Sequence, residues 1–455
     1  MQKQTVAIGF DYGTANCSVA HIRDNQAIQI PLANGEKYIS STLCAPTSES
    51  VSEYLFRNKN ILPITDTGKA ILKRAIRTNL EEGIDVLEEE VLFGQPALDL
   101  YLQDPKDVYY IKSPKSFLGA RGLKDVQLAF FEDLVCAMME NVKSQAEATL
   151  QQDLHDTVIG RPVNFLGRGG EESNQQAQDI LLRAATRAGF KNVEFQFEPV
   201  AAGLDYESSL TQNLNVLVVD IGGGTTDCSM IQMGPSWVGK RDRTQTLLGH
   251  TGQMVGGNDL DIHIAFKHFM TEFGKGSRKH SGLEIPISQF WHSILINNVQ
   301  AQREFYSKEN LAFLKQLRRE AQQPSKLARM LEVHQGALGY GIVSQAENAK
   351  IALSDSPSFE ATINLLSEVI TIPMRQKEME QAISVPKEKI CKLVLEAVRQ
   401  SQITPDVVFM TGGSARSRVL REAVENLLPK VPIVSGNYFG SVTSGLARWA
   451  QVCFK

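Results

Sequence analysis

Two short stretches of this chain carry the same chemical equipment. Asp11-Tyr-Gly-Thr-Ala-Asn16 lies between an apolar run, Thr5-Val-Ala-Ile-Gly-Phe10, and the strand-like Cys17-Ser-Val-Ala-His-Ile22. Asp220-Ile-Gly-Gly-Gly-Thr-Thr-Asp227 lies between Asn215-Val-Leu-Val-Val219 and Cys228-Ser-Met-Ile231, 209 residues further on. Glycines let backbone N–H groups approach a phosphate without a Cβ in the way, and threonine hydroxyls add donors. A carboxylate beside such a turn would repel phosphate unless it holds Mg²⁺, usually through water, or orients an attacking water. Asp11, Asp220 and Asp227 suit those two jobs. One Asp-x-Gly alone is as well explained by a hairpin turn. Two matched copies between strands point to phosphate binding.

Other phosphate motifs fit less well. Gly222-Gly-Gly224 does not open a helix, as a dinucleotide fingerprint must, and Gly234-Pro-Ser-Trp-Val-Gly-Lys-Arg241 has arginine where a Walker loop needs Ser or Thr. The latter reads as a surface loop. Lys115, in Lys112-Ser-Pro-Lys115-Ser-Phe-Leu-Gly119, could neutralise charge on a transferring phosphoryl group, though a lone lysine is most often solvated. Glu347, Lys350 and Ser354 share one helical face, which suits a ribose and adenine or simply a surface ion pair. Thr411-Gly-Gly-Ser-Ala-Arg416 could lay a flat ring against backbone with Arg416 stacked on it, or be an ordinary strand-to-helix loop. The eight histidines show no metal-binding spacing, and Cys17 and Cys228 read as small buried hydrophobes.

The elements that must hold these residues alternate between strand and helix. Helical patterns cover 128–150, 174–189 with Gly189 as a C-cap, 327–353, 387–401 and 414–428, and a further strand covers 406–410. Residues 274–324 have little regular pattern and read as a partly helical insertion. The alternation predicts an α/β sheet protein. At 455 residues the length alone suggests about three domain-sized units, but the repeated strand–turn–strand suggests two similar lobes. Hydrophobic residues at 42%, charged residues at 22% and a net charge of −4 exclude disordered and collagen-like classes and argue against a general nucleic-acid or membrane-surface binder. No apolar run reaches membrane-spanning length, the first run breaks at Asp11 too early for a signal peptide, and six scattered cysteines suggest reduced thiols. A cytoplasmic protein is expected.

Taken jointly, the motifs resemble the nucleotide-binding domain of the DnaK-type (seventy-kilodalton heat-shock) chaperone family, within the actin/hexokinase superfamily. The match rests on Ile8-Gly-Phe-Asp-Tyr-Gly-Thr-Ala-Asn16, Leu92-Phe-Gly-Gln-Pro-Ala97, Glu198-Pro-Val-Ala-Ala-Gly203, Val219-Asp-Ile-Gly-Gly-Gly-Thr-Thr-Asp227, Gly256-Gly-Asn-Asp-Leu-Asp261, Ala346-Glu-Asn-Ala-Lys-Ile-Ala-Leu-Ser354 and Val408-Phe-Met-Thr-Gly-Gly-Ser-Ala-Arg416. Within the family the pattern is most similar to the YegD-like group, chains that are almost all nucleotide domain. The resemblance implies an α/β, two-lobed actin-like ATPase fold built from duplicated ribonuclease-H-like βββαβαβα lobes, with ATP or ADP and Mg²⁺ in the cleft between them. Lobe I would span 1–200 with an inserted subdomain at about 38–116, and a helix at 440–455 would pack back on it. Lobe II would span 201–439 with an insertion at about 256–345, and no peptide-binding domain is expected.

Carried over residue by residue, the resemblance implies that Gly13, Thr14, Ala15, Gly222, Gly223, Gly224 and Thr225 cradle phosphates. Asp11 and Asp220 would hold Mg²⁺ through water. Lys115, Glu198, Asp227 and Thr225 would complete the catalytic cluster, and Pro162 would be the hinge proline. Glu347, Lys350, Ser354, Gly412, Gly413, Ser414 and Arg416 would hold the adenosine. Several features depart from the family. Ala15 replaces a threonine, a glycine-rich insertion follows Pro162, and Gln175 stands where a relaying arginine belongs. The stretch between Asp261 and Glu347 is long, and neither the family's linker nor its peptide-gripping sandwich is expected from these residues. A slow Mg²⁺-dependent ATPase acting as a nucleotide-gated switch is the leading expectation, with protein partners or co-chaperones. A sensor that barely turns over, a filament-forming actin-like protein and a small-molecule kinase are the alternatives. Restoring threonine at position 15 is expected to speed hydrolysis, unless the loop has repacked around alanine.

Overall fold

The computed structural model describes residues 6–165, 170–438 and 440–454. Thr5 at the start of the first strand, residues 166–169 of the glycine-rich insertion and Lys455 lie outside the described residues. The first half supplies nine strands: β1 (Ala7–Tyr12), β2 (Asn16–Arg23), β3 (Gln26–Gln29), β4 (Ile39–Ser40), β5 (Thr42–Ala45), β6 (Leu92–Phe93), β7 (Tyr109–Lys112), β8 (Asp156–Arg161) and β9 (Asn192–Phe197). The second half supplies β10 (Leu214–Ile221), β11 (Thr226–Met233), β12 (Leu247–Gln253), β13 (Ser358–Asn364), β14 (Val369–Arg375), β15 (Val407–Thr411) and β16 (Ile433–Ser435).

Each half builds one main sheet, and the two sheets have the same plan. The first runs β3-β2-β1-β8-β9 and the second β12-β11-β10-β15-β16. In both, an antiparallel meander is extended by two parallel strands. Parallel pairing needs long crossovers, and helices provide them: Asp125–Leu150 and Gly170–Arg187 in the first half, Ser384–Ser401 and Arg418–Leu427 in the second. Strand β10 reads Leu-Asn-Val-Leu-Val-Val-Asp-Ile, and its last six residues are all buried. A near-continuous apolar run is what a strand covered on both faces requires.

The fold is therefore the two-lobed actin-like ATPase fold. A cluster drawn from both sheets joins the lobes: Val158 from β8, Val216 and Val218 from β10, and Ala201, Ala202, Leu446 and Ala450 from two helices, Glu198–Glu207 and Ser441–Cys453. These helices cross where Gly445 meets Ala201. A Cβ on Gly445 would fall 1.6 Å from the Ala201 carbonyl oxygen, so only glycine permits the crossing.

Each lobe also carries an inserted body. In the first, β5, β6 and β7 form a three-stranded sheet in the order β6-β5-β7 beside helices Ser48–Arg57, Asp66–Glu82 and Gln95–Gln103. In the second, the region of weak pattern at 274–324 contains helices Ser288–Ile294, Val299–Phe305 and Lys308–Glu320. The hairpin β13–β14 belongs to the same body and was not anticipated from the sequence. The single helix expected over 327–353 is two helices, Pro324–Gly336 and Gly339–Asp355, broken at Ala337 with φ 52°. A Cβ on Gly339 would meet the Ser293 carbonyl oxygen at 2.3 Å, so this glycine packs directly against helix Ser288–Ile294, a contact that accompanies the turn at Ala337. Likewise 414–428 is a short 3₁₀ turn, Gly413–Arg416, followed by helix Arg418–Leu427.

Candidate functional site

The two glycine turns have the same backbone. Asp11 is paired with Ser18 across β1–β2, and Asp220 with Asp227 across β10–β11. The Gly13 N–H donates to the Asn16 carbonyl at 3.1 Å, and the Gly222 N–H to the Thr225 carbonyl at 2.9 Å. The turns meet face to face. A Cβ on Gly223 would lie 2.6 Å from the Ala15 Cβ, and one on Gly224 would lie 2.5 Å from the Thr14 Cγ2. Both glycines are thus required by close approach of the opposite lobe. Ala15, half-buried on the cleft wall, lies against Gly223, so a threonine there would add atoms beside that glycine.

Between the lobes lies a cleft of about 340 Å³, within the size range of small-ligand sites. It brings together Asp11, Gly13, Thr14, Ala15, Glu198, Asp220, Gly222, Gly223, Thr225, Glu347, Lys350, Ser354, Gly412, Gly413, Ser414 and Arg416. Three residues singled out from the sequence are not on its wall. Gly224 and Lys115 face a much smaller void behind the turns, with Pro162 and Thr225. Asp227 is buried beneath, where its carboxylate accepts the Val163 N–H at 2.8 Å. Gln175 is on the surface, its amide donating to Asp179 at 2.7 Å.

The end of the cleft at the two glycine turns is rich in buried charge. Lys115 donates to Glu198 at 2.5 Å and to the Gly160 carbonyl at 3.3 Å. Glu198 opens helix Glu198–Glu207, where the helix dipole favours an anion. Burial, and secondarily Glu198, pushes the Asp11 carboxyl up to about 7 against the pull of Lys115. Burial together with Glu198, Asp227 and Asp11 raises Asp220 well above the carboxylate range. Burial and Glu198 push Asp227 up to about 8. Carboxylates held out of water in this way need a cation to stay ionised. Among the described residues no three acidic, His or Cys side chains converge on one point, so direct all-protein coordination is not built in. Two carboxylates with room for water and phosphate oxygens suit Mg²⁺, which keeps much of its hydration shell. Asp11 and Asp220 are the residues that would hold it.

The other end is polar in a different way. Lys112 donates to Glu347 at 2.7 Å across the cleft, and Lys350 pairs with Asp261 at 2.8 Å. Lys112 and its neighbour Lys350 hold the Glu347 carboxyl below its usual value despite burial. Ser354 donates back to the Lys350 carbonyl within its own helix at 3.0 Å. Ser414 donates to the Gly222 carbonyl at 3.0 Å, tying the Gly412–Gly413 loop to the second turn. Sequence reasoning passed over Tyr38, Asn258, Asp261 and Tyr438, all of which line the cleft. Asp261 and Asn258 stood inside a quoted motif, Gly256-Gly-Asn-Asp-Leu-Asp261. The two tyrosines carried no signal, since each lies in a loop without periodicity.

The family model described as "Hsp70 protein" matches residues 7–285. Among curated proteins, the "Chaperone protein HscA homolog" of Shewanella frigidimarina is 22% identical over 453 residues, covering 98% of this chain and 58% of that relative. The protein of the same description from Rickettsia typhi is 27% identical over 263 residues, 58% of this chain and 38% of that relative. The chain therefore spans only about half the length of the curated relatives it matches.

Proposed function

This chain belongs to the Hsp70 protein family, and on that premise we propose that its cleft binds ATP or ADP with Mg²⁺ and hydrolyses ATP slowly, as a nucleotide-gated chaperone switch. The observation that carries the reading is the meeting of two matched glycine turns, each with its own aspartate, half-buried Asp11 and buried Asp220, at one end of a cleft between two lobes. The turns offer N–H and hydroxyl donors to phosphate oxygens from both sides. Bound through Asp11 and Asp220, Mg²⁺ would supply charge neutralisation at the phosphates. Lys115, held by Glu198, would orient an attacking water or steady the terminal phosphate from behind the turns. At the opposite end Glu347, Lys350, Ser354, Gly412, Gly413 and Arg416 would hold the adenosine. Asp227 grips the backbone next to Pro162, so a change at the phosphates can reach the hinge.

Lobe closure set by the terminal phosphate would alter affinity for protein partners, a client or a co-chaperone. Neither nucleic acid nor a membrane is part of this reading; among the described residues no helix is long and apolar enough to cross a membrane. A second reading, a nucleotide sensor with little turnover, is favoured by Ala15, which gives no hydroxyl where the resemblance has one. Single-turnover hydrolysis against an Asp11→Asn control separates the two. The binding claim itself is tested by thermal melting. ATP with Mg²⁺ should raise the melting temperature, since ligand at a hundred times its Kd stabilises by about 2.7 kcal/mol. EDTA should remove most of the shift. An unchanged melting curve at millimolar ATP sinks the reading.

A further inference from the structure

Ser113 is a buried, non-glycine residue in the left-handed region, at φ 60° and ψ 54°, immediately before Pro114. Such a conformation persists only where the surroundings over-determine it. Here the surroundings are hydrogen bonds in three directions. The Ser113 N–H donates to the Ser41 carbonyl at 2.7 Å. Ser41 in turn holds the first phosphate turn, its N–H donating to the Ala15 carbonyl at 2.8 Å and its hydroxyl to the Gly13 carbonyl at 2.6 Å. The Ser113 carbonyl accepts the Ser116 N–H at 2.9 Å, closing the 3₁₀ turn Pro114–Phe117 that carries Lys115. Its hydroxyl accepts from the Asn258 side-chain amide of the other lobe at 3.3 Å. Asn258 is fixed on the second phosphate turn, because its backbone N–H donates to the Gly223 carbonyl at 2.7 Å.

We infer that the Ser113–Asn258 bond is a cross-cleft link that sets both phosphate turns and the Lys115 turn in one register, making Ser113 a positioning residue for hydrolysis. The inference rests on the nucleotide reading of the cleft. Ser113 itself lies off the cleft wall, so it acts only through the groups it holds. Opening the lobes must break this bond. Once broken, the Lys115 turn loses its hold on the second turn, and a bound nucleotide loses one of the contacts that keep the lobes shut.

Ser113→Ala, Asn258→Ala and the double variant test the link with the full chain. The readouts are single-turnover hydrolysis at saturating ATP, release of a fluorescent ADP analogue, and the melting temperature. Each single variant should slow hydrolysis and speed release roughly two- to tenfold, the range set by one net hydrogen bond. The double variant should be no worse than the worse single, because both remove the same bond. Additive losses, or release from Ser113→Ala at the wild-type rate, would overturn the link while leaving the nucleotide reading intact. A wild-type protein that binds no ADP overturns that reading and the link's role with it. Should Ser113→Ala not fold, Asn258→Ala reads the link from the other lobe, since its backbone bond to Gly223 is untouched; unchanged release there would be equally fatal.

Discussion

The first glycine turn, Gly13–Asn16, presents Thr14 and Ala15 to the opposite lobe; the second, Gly222–Thr225, meets them with Gly224 and Gly223. Their backbones superimpose residue for residue in pairing and in the bond that closes each turn. Yet Thr14 and Ala15 project where Gly223 and Gly224 leave hollows to receive them. The bracing differs too. Ser41, within the first lobe, holds the first turn, whereas Gly257, Asn258 and Ser414 hold the second. Opposite the leading aspartate stands Ser18 in one lobe and Asp227 in the other. A duplicated unit has thus been split into a projecting half and a receiving half that also carries the second acid. Equivalent residues should therefore respond unequally to mutation.

The largest inequality is expected at the acids. Asp220→Asn should lower single-turnover hydrolysis far more than nucleotide affinity, since losing the charge stabilisation it supports costs on the order of several kcal/mol of barrier. A loss of turnover only in proportion to affinity would make Asp220 a binding residue. Next comes the fit between turns. Gly224→Ala places a methyl against Thr14, and overpacking of this kind costs about 1–3 kcal/mol. Titration with ADP should show the loss as weaker binding, while Thr14→Gly in the same protein should restore part of it. If the double variant binds no better, the turns are not complementary in the way described. Ala15→Thr reverses the sequence-based expectation: pressing on Gly223, it should weaken ADP binding and slow hydrolysis roughly three- to tenfold, at the low end of the same overpacking range. A faster enzyme with unchanged ADP affinity would show that the hydroxyl outweighs the crowding.

The smallest effect separates the residues opposite the acids. Asp227→Ala leaves the buried Val163 N–H without its acceptor, costing about 1–3 kcal/mol of stability. Ser18→Ala loses only a hydroxyl pair with Thr443, worth about 0.5–1.5 kcal/mol. Urea denaturation of the two variants ranks them, and equal midpoints would erase this part of the contrast.

What was legible from the sequence was what is periodic or repeated. The turns announced themselves because Asp and Gly recur between apolar strands, helix 384–401 because its buried face repeats every three to four residues, and helix 125–150 because it is a long run rich in Leu, Met and Ala, buried all round from Phe131 to Glu140. The hairpin β13–β14 alternates as well, with Ala361, Ile363, Ile370, Ile372 and Met374 buried and polar Thr362 and Thr371 between them, so its signal stands in the sequence although it was passed over. The break at Ala337 could not be read at all, because the contact that accompanies it is with Ser293, distant in sequence. For the same reason the Lys112–Glu347 and Ser113–Asn258 pairs were invisible. Each partner is a common polar residue, and only the closed lobes bring them together.

The helix Ser441–Cys453 lies against β1 so closely that a Cβ on Gly9 would fall 2.2 Å from the Ala447 nitrogen. Nearly the whole length of the chain separates the two partners of this contact. At about 5–20 residues per second of synthesis, β1 leaves the ribosome tens of seconds before the helix that covers it exists. Its apolar face must wait in the meantime, exposed or shielded by something else. A protein read as an assistant to the folding of others would then itself spend its longest unfinished interval with its own first strand uncovered.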